Sequence, residues 1–278
     1  IYIIRGYIDA RAQLLTFILF VWIIYFIEMF LKNKKIRYAV GLVVISTLIA
    51  NLHVAVWPFI FVLFLPYIAE YLIAIIADIV IYRKINVKII NLAIKLLTKS
   101  GKYVDKKQKL EEKLQKILDK NEKIKIKREE DLKNPYKIRL QKNPNVKWLI
   151  LVMLICAFTG LLTPLGDAPY TYLYKTMQGN TTQNINEHLP MTIVDESEAL
   201  AAIVFILAIL TFTKTKIKLS DLFMIGGLCY LMLASRRQVT MFCLIGVLVV
   251  NKMICGLLEL YTKNGLEKTF KIVTTKVG

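Results

Sequence analysis

Long uninterrupted apolar runs constrain this 278-residue chain more than any other feature of its sequence. Several of the runs have roughly 15–25 residues, which is the length that a helix needs to cross a bilayer core of about 30 Å. The runs are continuous rather than alternating residue by residue, which argues against membrane strands. Their approximate limits are 13–31, 38–52, 59–82, 148–162, 199–212, 222–234 and 239–260.

The sequence therefore predicts an all-α integral membrane protein with six or seven transmembrane helices. Hydrophobic residues make up 56% of the chain, against about 45–50% in soluble proteins, so an ordinary soluble domain is excluded. The four cysteines lie in or at the ends of apolar runs, and no CxxC motif or Cys/His cluster is present. A disulfide scaffold and a zinc site are therefore excluded as well. Pro66 either kinks the third run or splits it in two.

The basic residues are concentrated in a polar insertion at 83–147. It holds 21 Lys and Arg and 8 Asp and Glu, so it carries +13 of the total charge of +18. Residues 87–97 have the pattern of an amphipathic helix that lies in the membrane interface, and 106–133 that of a charged amphipathic helix. We expect this insertion to contact anionic lipid head groups. Nucleic acid is not an expected partner, because the insertion has two distant aromatic residues and no recognisable binding fold.

The distribution of Lys and Arg predicts which side each loop occupies, because short cytoplasmic loops are rich in them. The clusters at 32–37, 83–147, 214–218 and 263–271 can all be cytoplasmic at once if the seven helices alternate in direction. The prediction then has three parts: a first membrane-helix group at 1–82, the cytoplasmic insertion at 83–147, and a second membrane-helix group at 148–278 with an extracytoplasmic loop at 164–198. We expect a multi-pass protein of the cell membrane.

The arginines point to a phosphate-bearing ligand on the outer face. The chain has 30 Lys and only 8 Arg, yet Arg5, Arg11, Arg236 and Arg237 fall on the side where positive charge is disfavoured. A guanidinium group binds phosphate through two parallel hydrogen bonds and stays ionised when partly buried. We therefore single out Arg11, Arg236 and Arg237 as substrate-binding residues. The alternative for Arg236 and Arg237 is a polar turn with snorkelling side chains.

Four other residues have a candidate role. His53, at the outer end of the second helix, is a further substrate-binding candidate, although a lone His at a helix end is more often structural. Asp167 is the candidate acid for catalysis, and its alternative is a turn-forming Asp after Gly166. Trp57 and Tyr67 are interpreted as membrane-interface anchors.

Three short motifs carry a resemblance to a known family. They are Arg11-Ala12-Gln13 at the start of an inward helix, Asn51-Leu52-His53 at the end of the next helix, and the late Ser235-Arg236-Arg237. Together they resemble the GT-C type of multi-pass membrane glycosyltransferases, which use polyprenyl-phosphate sugars. Ala12 stands where the family motif has proline, and the insertion at 83–147 has no counterpart in it.

The resemblance implies an enzyme that moves a sugar from a polyprenyl-phosphate donor to an acceptor on the outer face. It also implies a catalytic carboxylate in an earlier outer loop, in some members with a divalent metal. Because the chain opens at Ile1 with what looks like the tail of an apolar segment, we expect it to be a C-terminal fragment without that carboxylate. The arginines would stabilise charge on the leaving phosphate.

Two other functions stay open on the sequence alone. One is a transporter or flippase for an anionic or lipid-linked substrate, for which Glu28, Glu70 and Asp78 are the intramembrane acids. The absence of a detectable internal repeat favours the enzyme over this alternative. The other is a non-catalytic membrane scaffold that uses the 83–147 insertion as a docking arm.

Overall fold

A computed structural model describes residues 12–100, 104–133, 138–178, 190–191, 197–213 and 216–261. Within these ranges all regular structure is helical, apart from one isolated bridge between Arg139 and Lys218. The α-helices are α1 (Ala12–Asn33), α2 (Ile36–Leu52), α3 (Phe59–Ile81), α4 (Lys84–Ser100), α5 (Val104–Lys133), α6 (Val146–Phe158), α7 (Ala168–Gln178), α8 (Ser197–Phe212), α9 (Leu219–Ala234) and α10 (Val239–Tyr261). The all-α prediction is confirmed for the described residues.

Each predicted membrane segment is a helix, but the helices differ in length. Three stretches are long and apolar enough to cross a membrane: Leu15–Asn33, Val54–Ile81 and Val239–Glu259. Helices α2, α6, α8 and α9 are apolar but shorter. The prediction of six or seven spans therefore rests on shorter helices for four of its members. Pro66 lies inside α3, which continues through it as one helix, so the third run is not split.

The helices in the bundle have apolar residues on both faces. In α1, one row is buried in the protein and the other is about half exposed, although both rows are hydrophobic. The buried row is Phe20, Ile23 and Ile27, and the exposed row is Leu15, Ile18, Trp22 and Tyr25. An apolar face turned away from the protein is what contact with lipid requires. Buried residues from the 1–82 and 148–278 groups pack together in one core.

Several connections meet at one end of the bundle, which we call the loop end. It comprises the α2–α3 turn at 53–58, the segment 159–178 and the α9–α10 turn at 235–238. The Asn51 side chain donates a hydrogen bond to the Leu162 carbonyl at 3.4 Å. The backbone N–H of Met191 donates to the Leu233 carbonyl at 3.0 Å. The first bond ties the end of α2 to the segment 159–178, and the second ties Met191 to the end of α9.

The opposite end carries the basic insertion, whose helices α4 and α5 form a helical hairpin. We call it the hairpin end. Asn143 and Asn145 both donate side-chain hydrogen bonds to the Leu31 carbonyl near the end of α1, at 3.0 and 2.9 Å. The Arg139 backbone pairs with Ile217 and Leu219 ahead of α9. Helices α4 and α5 pack against each other beyond this end. The described residues of the predicted outer loop and those of the predicted cytoplasmic insertion thus lie at opposite ends of the bundle, while the side of the membrane that each faces stays a prediction.

Candidate functional site

His53 ends α2 and bonds to the first helix of the bundle. Its backbone leaves the helical conformation with φ −150°, while its N–H still donates to the Ile49 carbonyl. The His53 Nδ1 atom lies 3.2 Å from Thr16 Oγ1 of α1. The imidazole is thus positioned by a hydrogen bond between two helices. An imidazole held in this way at a helix end can accept or donate a proton, or orient a polar substrate group.

A chain of neutral hydrogen bonds lies in the core directly beside His53. Trp57 Nε1 donates to Ser46 Oγ at 3.2 Å, and Ser46 Oγ lies 2.7 Å from Thr159 Oγ1. Thr159 in turn donates to the Cys156 carbonyl at 2.7 Å. All of these side chains are buried. Polar groups surrounded by hydrocarbon must bond to each other. This series of hydrogen bonds therefore fixes the α2–α3 turn against the end of α6.

The Trp57 position corrects one interpretation of the sequence. We interpreted Trp57 and Tyr67 as anchors at the membrane interface, but Trp57 is 2% exposed and Tyr67 is 6% exposed. Both rings are in the protein core, and both use their polar atom for a hydrogen bond to another helix. Burial of the polar atom with a partner, rather than a position at the head groups, accounts for these aromatics.

Helix α7 packs on the hydrogen-bonded side chains of Ser46, Trp57 and Thr159, which we call the platform. This helix was not predicted, because its residues lie within the predicted outer loop. Tyr170 Oη donates to the Ala157 carbonyl at 2.6 Å, and its ring meets the Trp57 ring edge-on at a centroid distance of 5.2 Å. Gly160 makes this contact possible, because a Cβ there would come within 2.8 Å of Tyr170 Oη and 3.0 Å of Trp57. The start of the predicted outer loop is therefore an ordered part of the loop end.

Asp167 stands just before α7, and its side chain bonds to residues of that helix. Its Oδ2 accepts hydrogen bonds from Thr171 at 3.2 Å and from Lys175 at 3.4 Å. The Thr171 hydroxyl, followed by the Lys175 ammonium group, lowers the pKa of this exposed carboxyl below its usual value of 3.8. An ionised carboxylate at the start of a helix also interacts favourably with the helix dipole. These contacts fit the alternative of a turn-forming Asp, and the catalytic role stays a prediction.

The predicted arginine site is described in part. Arg236 lies half-buried in the turn Arg236–Gln238 between α9 and α10. Arg237 belongs to the same turn, and only its backbone is described. Arg11 lies outside the described residues. The structure thus brings His53, Asp167 and the Arg236 turn to the loop end, on three different connections.

A second polar cluster lies at the hairpin end. Lys252 of α10 donates to Glu28 of α1 at 2.9 Å and to Asp221 of α9 at 3.2 Å. Tyr67 of α3 donates to the same Glu28 oxygen at 2.9 Å. We call these four residues the ionic cluster. It joins four helices, and no short sequence motif could reveal it, because its members are up to 224 positions apart.

A pocket of about 300 Å³ opens beside the ionic cluster. Its charged and amide groups include Glu28, Glu70, Lys32, Lys218 and Gln141. Glu70 accepts a hydrogen bond from the Gln141 backbone N–H at 2.9 Å. Asp78, the third intramembrane acid of the prediction, forms a salt bridge with Lys142 at 2.6 Å instead. Mixed charge and this volume suit a polar head group better than an apolar ligand.

Within the described ranges, no three His, Cys, Asp or Glu residues are grouped so that they could hold a metal ion. The divalent metal implied by the resemblance therefore has no assigned ligands among these residues. Comparison of the chain with protein-family models, with curated proteins and with solved structures gives no match. The polar groups at the two ends of the bundle are therefore the candidate functional sites.

Proposed function

We propose that this protein is a multi-pass membrane glycosyltransferase of the GT-C type, which transfers a sugar from a polyprenyl-phosphate donor at the loop end. One observation carries the proposal: His53, the Arg236 turn and α7 are gathered at the end of the bundle opposite to the basic hairpin. That arrangement agrees with a substrate site on the outer face. The hydrogen-bonded platform of Ser46, Trp57 and Thr159 would keep its walls fixed.

In this proposal the guanidinium of Arg236 binds the phosphate of the donor and stabilises the negative charge that develops as the sugar departs. His53 orients a polar group of the donor or the acceptor, in the position that Thr16 gives it. The segment 164–178 covers the acceptor. Asp167 is the candidate for the base that activates the acceptor.

The proposal is tested by sugar transfer from polyprenyl-phosphate donors, with protein reconstituted in lipid. We expect Arg236→Gln to lower kcat/KM by about 100-fold, because removal of one charged transition-state contact costs about 2.7–4 kcal/mol. Arg236→Lys should recover part of the activity, since it restores the charge without the planar fork. Arg139→Gln is the matched control, because Arg139 is an exposed arginine at the hairpin end. Unchanged transfer by Arg236→Gln would contradict the proposal.

The ionic cluster favours a second candidate function, a transporter or flippase for an anionic or lipid-linked substrate. Ionisable residues within a membrane bundle are costly and commonly mark a substrate or ion pathway. A pocket that contains both carboxylates and lysines could exchange its internal ion pairs for pairs with a charged head group. Glu28 and Lys252 would then be the residues that respond to the substrate.

Transport and transfer can be separated in the same vesicles. We expect Lys252→Gln to abolish movement of a polyprenyl-phosphate sugar across the bilayer if transport is the function, and to leave sugar transfer within about threefold of wild type. Lys34→Gln is the matched control, because Lys34 lies over the Trp148 ring at the same end and outside the cluster. Unchanged movement in Lys252→Gln would exclude the transport function of this cluster.

A further inference from the structure

A basic pocket lies where α3 ends and α5 passes over it. Arg83, Lys113, Lys116 and Lys120 surround a cavity of about 230 Å³. Ile81, Ile117 and Ile124 provide apolar walls, and Asn121 also lines it. The three lysines are spaced at i, i+3 and i+7, so they project from one face of α5. No carboxylate is among the described residues that line this cavity.

Two backbone features build the pocket. Arg83 has a φ of +47°, a left-handed conformation that is strained for a residue with a side chain, and it turns the chain between α3 and α4. The Asn121 side chain donates to the Tyr82 carbonyl at 2.8 Å, which fixes α5 against that turn. The four cationic side chains are thereby held around one space, where their mutual repulsion would be relieved by a bound anion. Arg and Lys together are typical ligands of phosphate.

An apolar stripe lies on the neighbouring helix α4. Its members are between 58% and 64% exposed and follow a spacing of four, three and four residues; they are Ile85, Ile89, Leu92 and Leu96. Ile90, on the side of α4 that packs toward α5, is 7% exposed. Lys88 and Lys95 flank the stripe. Such a helix, apolar on one face and rich in lysine beside it, is built to lie in a membrane interface.

The length of the third membrane helix places both features at head-group level. Helix α3 (Phe59–Ile81) has 23 residues and is about 35 Å long at 1.5 Å per residue, whereas the hydrocarbon core is about 30 Å thick. Its last turn therefore lies at the edge of the hydrocarbon. Ile76 and Val80 on this part of α3 are exposed as well, so α3 also presents apolar side chains close to its end. The basic pocket lies at the same junction.

We infer that the basic pocket binds the phosphate of an anionic lipid in the leaflet next to the C-terminal end of α3. The α4 stripe inserts into that same leaflet. The charge of the pocket, the apolar surface beside it and the level of the α3 terminus all fit this occupant. The hairpin of α4 and α5 is then a membrane-bound arm. This inference is independent of both proposed functions, because the pocket and the stripe share no residue with the loop end or the ionic cluster.

The pocket is tested by native mass spectrometry of the detergent-purified chain, titrated with phosphatidylglycerol, phosphatidylcholine or inorganic phosphate. The pocket variant is Lys113→Gln, Lys116→Gln and Lys120→Gln together. The matched control is Lys109→Gln, Lys123→Gln and Lys125→Gln, which removes the same charge from exposed positions on α5 outside the pocket. Each lysine near an anionic surface contributes about a fivefold gain in affinity, so the pocket variant should bind phosphatidylglycerol at least tenfold more weakly than the control.

Wild type and control should bind phosphatidylglycerol at least tenfold more tightly than phosphatidylcholine. Equal binding of phosphatidylglycerol by the pocket variant and the control would overturn the inference. Displacement of phosphatidylglycerol by an equal concentration of inorganic phosphate would overturn it too, because the ligand would then be free phosphate. Circular dichroism of both triple variants should match that of wild type, since every replaced side chain is exposed.

The stripe is tested separately with an environment-sensitive dye on a single introduced cysteine. We expect the emission of Leu92→Cys to shift to shorter wavelength in vesicles that contain phosphatidylglycerol, relative to detergent-free vesicles of phosphatidylcholine alone. Asn91→Cys, an exposed neighbour outside the stripe, should show less than half of that shift. Equal shifts at the two positions would contradict insertion of the stripe.

Discussion

The two ends of the bundle hold their polar groups in different ways. At the loop end, Ser46, Trp57 and Thr159 are neutral, buried and bonded to one another. At the hairpin end, Glu28, Asp221 and Lys252 are charged, and the Lys252 side chain is 43% exposed. Neutral groups can be buried completely once each has a partner. Lys252 and Glu28 keep partial access to solvent, and the buried Asp221 is paired with Lys252, because burial of an unpaired ion costs several kcal/mol.

This difference indicates what each end is suited to do. A buried network of neutral hydrogen bonds responds little to salt or pH, so the loop end is a rigid support for His53 and α7. An ionic cluster beside an open pocket responds to ionic strength and to charged ligands. The loop end therefore resembles a preorganised reaction site, and the hairpin end resembles a site that can rearrange.

Trp57→Ala should give the largest loss of stability. It removes a buried ring and leaves the Ser46 hydroxyl without its donor, so we expect the free energy of unfolding to fall by about 3–5 kcal/mol. Trp22→Ala is the matched control, since Trp22 is about half exposed on the outer face of α1. Thermal unfolding in detergent measures both. Similar unfolding temperatures for the two variants would show that the loop end is not the rigid end.

Lys252→Met should lower the free energy of unfolding by a smaller amount, about 2 kcal/mol, because two carboxylates lose their shared partner while solvent compensates in part. The loss should shrink when Glu28→Gln and Asp221→Asn are added. The stability difference between Lys252→Met and wild type should also decrease at high salt, unlike that of Trp57→Ala. A stability difference between Lys252→Met and wild type that does not change with salt would contradict the proposed difference between the two ends.

Gly160→Ala tests how closely α7 packs against the loop end. The added methyl group would press on Tyr170 and Trp57, so we expect a loss of about 1–2 kcal/mol through overpacking and faster proteolysis at α7. Gly226→Ala is the control, because a Cβ at that helical position meets no atom within 4 Å, and it should be neutral or stabilising. Resistance of α7 to proteolysis in Gly160→Ala would refute the packing of this helix on the platform.

Acid should produce the smallest effect, at the start of α7. The pKa of Asp167 in the folded protein is below its usual value of 3.8, so its bonds to Thr171 and Lys175 contribute to stability above that pH and are lost as the pH falls through the lowered pKa. Proteolysis at α7 should therefore increase in this acidic window. Asp167→Asn should abolish the pH dependence, and an identical acid response in Asp167→Asn would contradict this assignment.

The sequence predicts the bundle well and its contacts poorly. Continuous apolar runs gave the limits of α1, α2, α3 and α10 to within two residues, because a helix in hydrocarbon must extend as far as the apolar run does. Helix α7 was missed because its Tyr-rich sequence has no apolar run and follows a Pro-Gly turn. Amphipathic spacing predicted α4 and α5, although each is longer than its pattern.

The roles of the candidate site residues stay predictions. His53, Asp167 and Arg236 were singled out from the sequence, and the structure places all three at one end. The hydrogen-bonded platform was not predicted, since an aromatic residue at a helix end is expected to be a membrane anchor. The pairing of Glu28 with Lys252 joins the first and last helices, and local pattern contains no information about such a contact.

The most direct test of the account is the accessibility of the two ends in intact cells. Single cysteines are introduced as Asp167→Cys at the loop end and Lys123→Cys on the basic hairpin, with the exposed Cys255 replaced by serine. A membrane-impermeant maleimide should label position 167 in intact cells and position 123 only after the membrane is permeabilised. Labelling of position 123 in intact cells, or of position 167 only after permeabilisation, would contradict the account.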